Sequence, residues 1–226
     1  MKQNLTLRAL VGILITVVIF GVPLFLSAWT LDYWQAWLFL IVFSIATAQH
    51  GLYLAKNDPA LLERRMRVGP AAEKRPAQRI IMVYVIVAFF LTLVMSGIDH
   101  RLGWSRVPAL VVLIGDGMIA LSFVFFYLVC RENSFASATI EVVEGQKVIS
   151  TGLYQYVRHP MYAAALLMWL GIPLALGSSW SVVIVVLSLP ILNWRIVDEE
   201  KCLATNLKGY TEYCDKVKYR LIPGLY

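Results

Sequence analysis

Charge is scarce in this chain. Only 15% of its 226 residues are Asp, Glu, Lys or Arg, where an ordinary soluble domain carries about 25%. Cysteine is scarcer. Cys130, Cys202 and Cys214 form no CxxC pair and no Cys/His spacing suited to zinc. His50, His100 and His159 are scattered, so no metal site is expected. There is no glycine-rich strand-turn-helix fingerprint, which argues against a soluble nucleotide-binding fold. No basic face on a soluble fold is evident, which argues against nucleic acid as a partner. Internal repeats, low-complexity segments and flexible interdomain linkers are also missing, so residues 1–226 read as one domain.

What the chain has is apolar length. Hydrophobic residues make up 59% of it, and the mean hydropathy is +0.70. Four runs approach or exceed the roughly 20 residues that cross a bilayer core: Ala9–Trp29, Tyr33–Leu54, Ile80–Ile98 and Val107–Cys130. The first follows Lys2 and Arg8 but is too long for a signal-peptide core, and it reads as a helix. A fifth stretch, Tyr162–Trp194, is broken by Pro173, Gly177-Ser178-Ser179 and Pro190. The Gly-Ser-Ser predicts a turn. Two halves of about 15–16 residues would each be about 24 Å long, short of a core of about 30 Å. The expectation is a helical hairpin that enters and returns on one side. The alternative is a single kinked span. The fold class is therefore all-α integral membrane, with four transmembrane helices plus a C-terminal helical hairpin.

Basic residues orient the bundle. Eighteen of the 20 Lys and Arg fall on one side of this topology, and only Arg101 and Arg106 fall opposite. By the positive-inside rule, both termini are cytoplasmic. Lys74, Lys147 and Lys216 then share the cytoplasmic face and Gly103 lies outside. The net charge of +6 is a topology signal, and the cationic side suits anionic membrane lipids. The segment Lys56–Arg79 reads as a loop with a short interfacial helix around "PALLERRM".

Chemistry concentrates in residues 131–226. "TGLYQYVRHPMYAAALL" places Pro160 at the first position of a helix, where its missing N–H costs nothing, and His159 at the cap. Tyr162 lies three residues on and shares a face with His159. A helix N-terminus suits a carboxylate or phosphate. A simple interfacial anchor explains Arg158 and His159 equally well on their own. Further on, Arg195 and Glu199 stand i,i+4 within "NWRIVDEEKCL". Such a pair is also what an ordinary surface ion pair looks like, worth about 0.3–0.5 kcal/mol. "KVKYRLIPGLY" is too basic for another span. It is expected to fold back over the site, with Tyr219, Leu221 and Ile222 packed on the hairpin or the membrane surface. Asp116, between Gly115 and Gly117, reads as a packing site whose carboxyl bonds a neighbour in protonated form. Gln49 and His50 read as a satisfied polar pair inside the bundle.

Taken together, "GLYQYVRHPMY", a hairpin of about thirty residues, "R-x-x-D-E-E" and "GYTEYCDKVKYRLIPGLY" resemble the isoprenylcysteine carboxyl methyltransferase family, whose wider relatives include phospholipid N-methyltransferases. The resemblance covers roughly residues 131–226. It implies S-adenosyl-L-methionine as cofactor at the cytoplasmic membrane face. It assigns cofactor contact to Gln146, Lys147, Val148, Ile149, Tyr154, His159, Pro160, Met161, Tyr162 and Glu199, and acceptor contact to Arg195 as the catalytic position. Relatives often carry Gln where this chain has Glu141.

Methyl transfer needs alignment more than acid–base chemistry. A carboxylate acceptor is already a nucleophile, and Arg195 would hold it by a charge-assisted contact. A protonated amine would first have to lose a proton, and Arg195 would repel it. With the role that the resemblance gives it, Arg195 therefore favours a carboxylate or another anionic acceptor, and the membrane setting favours a lipophilic one, whether a small molecule, a lipid or a prenylated substrate. A thiolate stays open, and so does phospholipid N-methylation. "CDKVKYRLIPGLY" also resembles the C-terminal end of membrane sterol reductases, which use NADPH. A non-enzymatic membrane scaffold is the third reading. Oligomeric state leaves no mark on the sequence.

Overall fold

A computed structural model describes the backbone of residues 2–226 and the side chains of residues 11–226. The side chains of Lys2 and Arg8, part of the charge argument, lie outside the described residues. The described chain is helical, with no strand. Its elements are α1 (Lys2–Ala28), α2 (Trp34–Asn57), α3 (Pro59–Met66), α4 (Pro76–Leu102), α5 (Ala109–Glu132), α6 (Pro160–Ala175), α7 (Ser179–Asn206) and α8 (Tyr210–Lys216), with a 3-10 turn at Gly152–Gln155 before α6. Five of these helices are long and apolar enough to cross a membrane; α6, at 16 residues, is the shorter apolar one. The architecture is all-α and integral to the membrane.

Local sequence explains most boundaries. Pro59, Pro76 and Pro160 each open a helix. Asp58 caps α3 by accepting from the Leu61 N–H at 2.9 Å. Gly103 ends α4 with φ +64°, a left-handed conformation open to glycine at little cost. In "EVVEGQKV" the chain turns at Gly145, and Val143 and Gln146 bond each other.

The hairpin differs from expectation in length. Its turn does fall at residues 176–178, between α6 and α7. The second arm, however, is 28 residues rather than about 15. Pro190 lies inside α7 without ending it, and the helix runs on through the acidic cluster to Asn206. At 1.5 Å per residue it is about 42 Å long. The turn also reaches the far end of the bundle. The Tyr33 hydroxyl donates to the Leu176 carbonyl at 2.5 Å, the Ser178 hydroxyl donates to Asp99 at 2.5 Å, and the Ser105 hydroxyl accepts from the Ser179 N–H at 3.0 Å. The hairpin thus runs from the basic end to the opposite end of the bundle and back, with α7 long enough to cross a bilayer and α6 the shorter arm.

Two glycines allow close helix approach. A Cβ on Gly115 in α5 would strike the backbone of Gly171 and Ala175 in α6, and one on Gly97 in α4 would strike Leu24 and Ala28 in α1. Around these contacts lies the main core, including Leu24, Phe39, Leu93, Ile119, Ile172 and Leu176. Asp116 is buried beside Gly115, yet neither of its carboxyl oxygens has a hydrogen-bond partner among the described residues, contrary to expectation. Gln49 and His50 do not pair either. Gln49 is exposed, while His50 Nε2 lies 3.9 Å from Cys130 Sγ and its Nδ1 has no partner.

The two ends of the bundle differ. Arg101 and Arg106 lie at the end that carries the hairpin turn, with exposed Trp29, Trp34, Trp104 and Trp180. That ring of indoles is typical of a membrane–water interface. Lys74, Lys147 and Lys216 lie at the other end and Gly103 at the tryptophan end, as the charge pattern predicts.

Candidate functional site

The basic end carries the concave surface. His159 sits at the N-cap of α6, although its side chain makes no capping bond. Residues 133–151 fold back across the ends of α5, α6 and α7, and the 3-10 turn brings Tyr154 beneath them. The result is a cavity of about 290 Å³. Gln146, Lys147, Val148, Ile149, Tyr154, His159, Pro160, Met161, Tyr162 and Glu199 all line it, and so does Arg195. The structure therefore brings every sequence-designated site residue to one place. Glu141 also lines the cavity, but its carboxylate pairs with Lys74 at 2.8 Å. The hydrogen bond from Lys74 holds the Glu141 carboxyl below the ordinary glutamate range.

The three acidic residues of "VDEEK" have separate duties. Asp198 accepts from Arg75 Nη2 at 2.5 Å and from Gln78 at 2.6 Å. Glu200 gathers Arg158 at 3.0 Å, His159 at 3.2 Å and Arg220 at 2.9 Å. Glu199 forms no ion pair among the described residues and accepts one bond, from the Tyr162 hydroxyl at 2.5 Å. It is the one member of the run that turns a lightly used carboxylate to the cavity.

Arg195 differs from the expected open fork. It is buried, and its ion-pair partner is Glu73, at 3.0 Å, rather than Glu199. It also donates to Tyr162 Oη at 3.0 Å, Gln78 Oε1 at 2.7 Å and the Ala138 carbonyl at 3.0 Å. Four of the five N–H groups of a guanidinium are thereby engaged, leaving one on Nη1. A bidentate grip on an acceptor would require one of these contacts to be exchanged.

Several site residues escape a reading of the sequence. Glu73 and Gln78, both fully buried, come from the loop after α3 and the start of α4. Asn133 donates to the Tyr154 hydroxyl at 2.8 Å, and the Tyr213 hydroxyl donates to the Tyr154 carbonyl at 2.7 Å. Burial pushes the Tyr154, Tyr210 and Tyr213 hydroxyls above the ordinary tyrosine value, so they stay protonated donors. The Tyr210 hydroxyl is buried with no hydrogen-bond partner among the described residues. The one available sequence signal is the tyrosine-rich "GYTEYCDK" itself.

The tail does fold back. The backbone N–H groups of Arg158 and His159 donate to the Tyr219 and Arg220 carbonyls, each at 2.9 Å. Leu221 is buried, while Tyr219 and Ile222 stay exposed. None of residues 217–226 lines the cavity. The tail braces the Arg-His-Pro corner from behind rather than covering the cavity.

This geometry agrees with a comparison of the chain with known proteins. Residues 110–208 match the family model described as phospholipid methyltransferase. The matched segment begins in α5 and contains both arms of the hairpin and most of the cavity wall. It points to a membrane methyltransferase in general. A stretch of 91 residues is also 31% identical to the Delta(14)-sterol reductase TM7SF2 of Mus musculus, covering 39% of this chain and 22% of that protein. The match thus spans about a fifth of the length of that reductase.

The residues present fit S-adenosylmethionine. Glu199 offers a carboxylate for an ammonium or a ribose diol, the unpartnered Tyr210 hydroxyl offers a donor or acceptor, and Tyr154 and Phe135 offer aromatic wall.

Proposed function

We propose that this chain transfers a methyl group from S-adenosylmethionine to a lipophilic acceptor at the basic, cytoplasmic end of the bundle, with both termini on that side. The favoured acceptor atom is a carboxylate oxygen, as in isoprenylcysteine carboxyl O-methylation. The observation that carries the proposal is the convergence of ten motif positions on one cavity, with Glu199 left unpaired by any cation among the described residues.

The cofactor, when bound, supplies an electrophilic methyl on a positively charged sulfur. The chain supplies position. Glu199 and Tyr162, already hydrogen-bonded to each other, would hold polar groups of the cofactor, and the wall from Gln146 to Ile149 would complete its enclosure. His159 is fixed by Glu200 on one side and by the Arg220 carbonyl on the other, which sets the α6 N-terminus. Arg195, locked by Glu73 and Gln78, holds the Tyr162 hydroxyl and keeps one Nη1 N–H uncommitted at the cavity wall. Positioning of this kind can supply roughly 7–11 kcal/mol of a transfer barrier. A carboxylate acceptor asks nothing more, since it needs no base.

The test is transfer of labelled methyl from S-adenosylmethionine to a membrane lipid extract and to prenylcysteine analogues. Label in a base-labile ester supports carboxyl methylation, and label in an amine headgroup moves the reading to phospholipid N-methylation. The 31% identity to a sterol reductase favours a second reading, NADPH-dependent reduction. Oxidation of NADPH by the purified chain, without methyl transfer, would establish that instead.

A further inference from the structure

Three arginines line the cavity, and they are not equivalent. Arg158 is paired with Glu200 and Arg195 with Glu73. Arg65, from the last turn of α3, has no carboxylate partner among the described residues. Its Nη1 donates to the Ala136 carbonyl at 3.1 Å and approaches Met161 Sδ at 3.7 Å. Its Nε and Nη2 groups make no hydrogen bond among the described residues and are not buried. Lys147 also lacks an acid partner, but it is exposed, whereas Arg65 is half-buried.

We propose that Arg65 is the residue that recognises an anionic head, a carboxylate or a phosphate, on the apolar methyl acceptor. This rests on the methyl-transfer reading above. A half-buried guanidinium without a counter-ion is costly, and an anionic ligand relieves that cost. The open Nε and Nη2 edge is the one that forms two parallel bonds to a carboxylate or phosphate. Arg65 is held at its other edge, so the fork is oriented before the ligand arrives.

Its surroundings supply the apolar half. Met161, which Arg65 touches, packs on the cluster of Leu54, Leu61 and Cys130, joined by Tyr53. Tyr53 and His50 line an open, largely apolar groove between α2 and α5 on the outer face of the bundle. Phe126, a wall of the cavity, has its ring 6.4 Å from that of His50. The groove between α2 and α5, beside the cavity across Phe126, is the apolar surface assigned to the chain of an amphiphile with its head at Arg65.

The full-length protein in neutral phosphatidylcholine nanodiscs provides the test. The probes are N-acetyl-S-farnesylcysteine, its uncharged carboxamide and a lysophosphatidate. The wild type is expected to bind the carboxylate at least tenfold tighter than the carboxamide. Arg65→Gln should reduce that preference to within twofold, with S-adenosylmethionine affinity and melting temperature unchanged, and Arg65→Lys should restore part of it. Loss of lysophosphatidate binding in Arg65→Gln larger than the loss of carboxylate binding assigns a phosphate head. Retention of the full preference in Arg65→Gln, or no preference in the wild type, overturns the proposal. Failure of the methyl-transfer reading shows separately, as a wild type that does not bind S-adenosylmethionine.

Discussion

Removing the Glu73 carboxylate should cost more than any surface acid in this chain. Its side chain is 1% exposed and its partner Arg195 9%. Breaking a buried pair by deleting one member leaves a desolvated charge and costs about 3–5 kcal/mol. Gln78, Tyr162 and the Ala138 carbonyl still accept from Arg195, which puts Glu73→Ala near the lower limit, about 3 kcal/mol. The Ile140 N–H also loses its acceptor. Replacing both charges, in Glu73→Ala with Arg195→Met, removes the orphan. The double variant should be more stable than the sum of the two single losses by about 2 kcal/mol, within the range for residues in direct contact. Unfolding in mixed micelles with increasing denaturing detergent measures all four proteins. Cofactor affinity should fall in Glu73→Ala, because Arg195 positions Tyr162. A loss below about 1 kcal/mol for Glu73→Ala, or strict additivity in the double variant, would refute a buried, stabilising pair.

Other perturbations separate the parts of the site. Glu200→Gln removes the charge shared by Arg158, His159 and Arg220; hydrogen exchange of residues 217–226 should quicken while the α5–α6 contact stays protected. Gly115→Val should lower the melting temperature sharply and Gly117→Ala hardly at all, because a Cβ meets the α6 backbone at the first position and open space at the second. The Glu141 carboxyl is depressed by Lys74, so the pair stabilises at neutral pH, and its contribution is lost as pH falls through the folded-state value. Lys74→Met should raise the Glu141 titration midpoint toward the ordinary glutamate value, as read by carboxyl NMR, with little change in stability since the lysine is exposed.

Apolar length and local punctuation make much of this fold legible. The four long spans, the turn at Gly177-Ser178-Ser179 and the opening of α6 at Pro160 all follow from short-range rules. The length of α7 beyond Trp194 does not, because the helix continues through the charged run from Arg195 to Glu200, where apolar length gives no signal. The cavity wall is legible where motif residues are adjacent, as in Gln146–Ile149 and His159–Tyr162. Glu73, Gln78 and Arg65 are not, because their partners lie far along the chain. Arg195 is more than 100 residues from Glu73 and Gln78, and Ala136 is 71 from Arg65. An acidic run such as Asp198-Glu199-Glu200 shows three charges but not their division among Arg75, Tyr162 and Arg158 with His159 and Arg220. Asp116 marks the limit of inference by composition: flanking glycines predict the close packing of α5 on α6, yet the carboxyl finds no partner there.

Calorimetry decides whether the cavity at the basic end holds S-adenosylmethionine. Purified protein titrated with S-adenosylmethionine should bind it at one site per chain, while NADPH should give no heat of binding. Glu199→Ala should weaken the first titration by at least tenfold, since a charge-assisted bond is worth about 1.5–3 kcal/mol, without lowering the melting temperature. Binding of NADPH in place of S-adenosylmethionine, or an unchanged S-adenosylmethionine affinity in Glu199→Ala, would contradict the account.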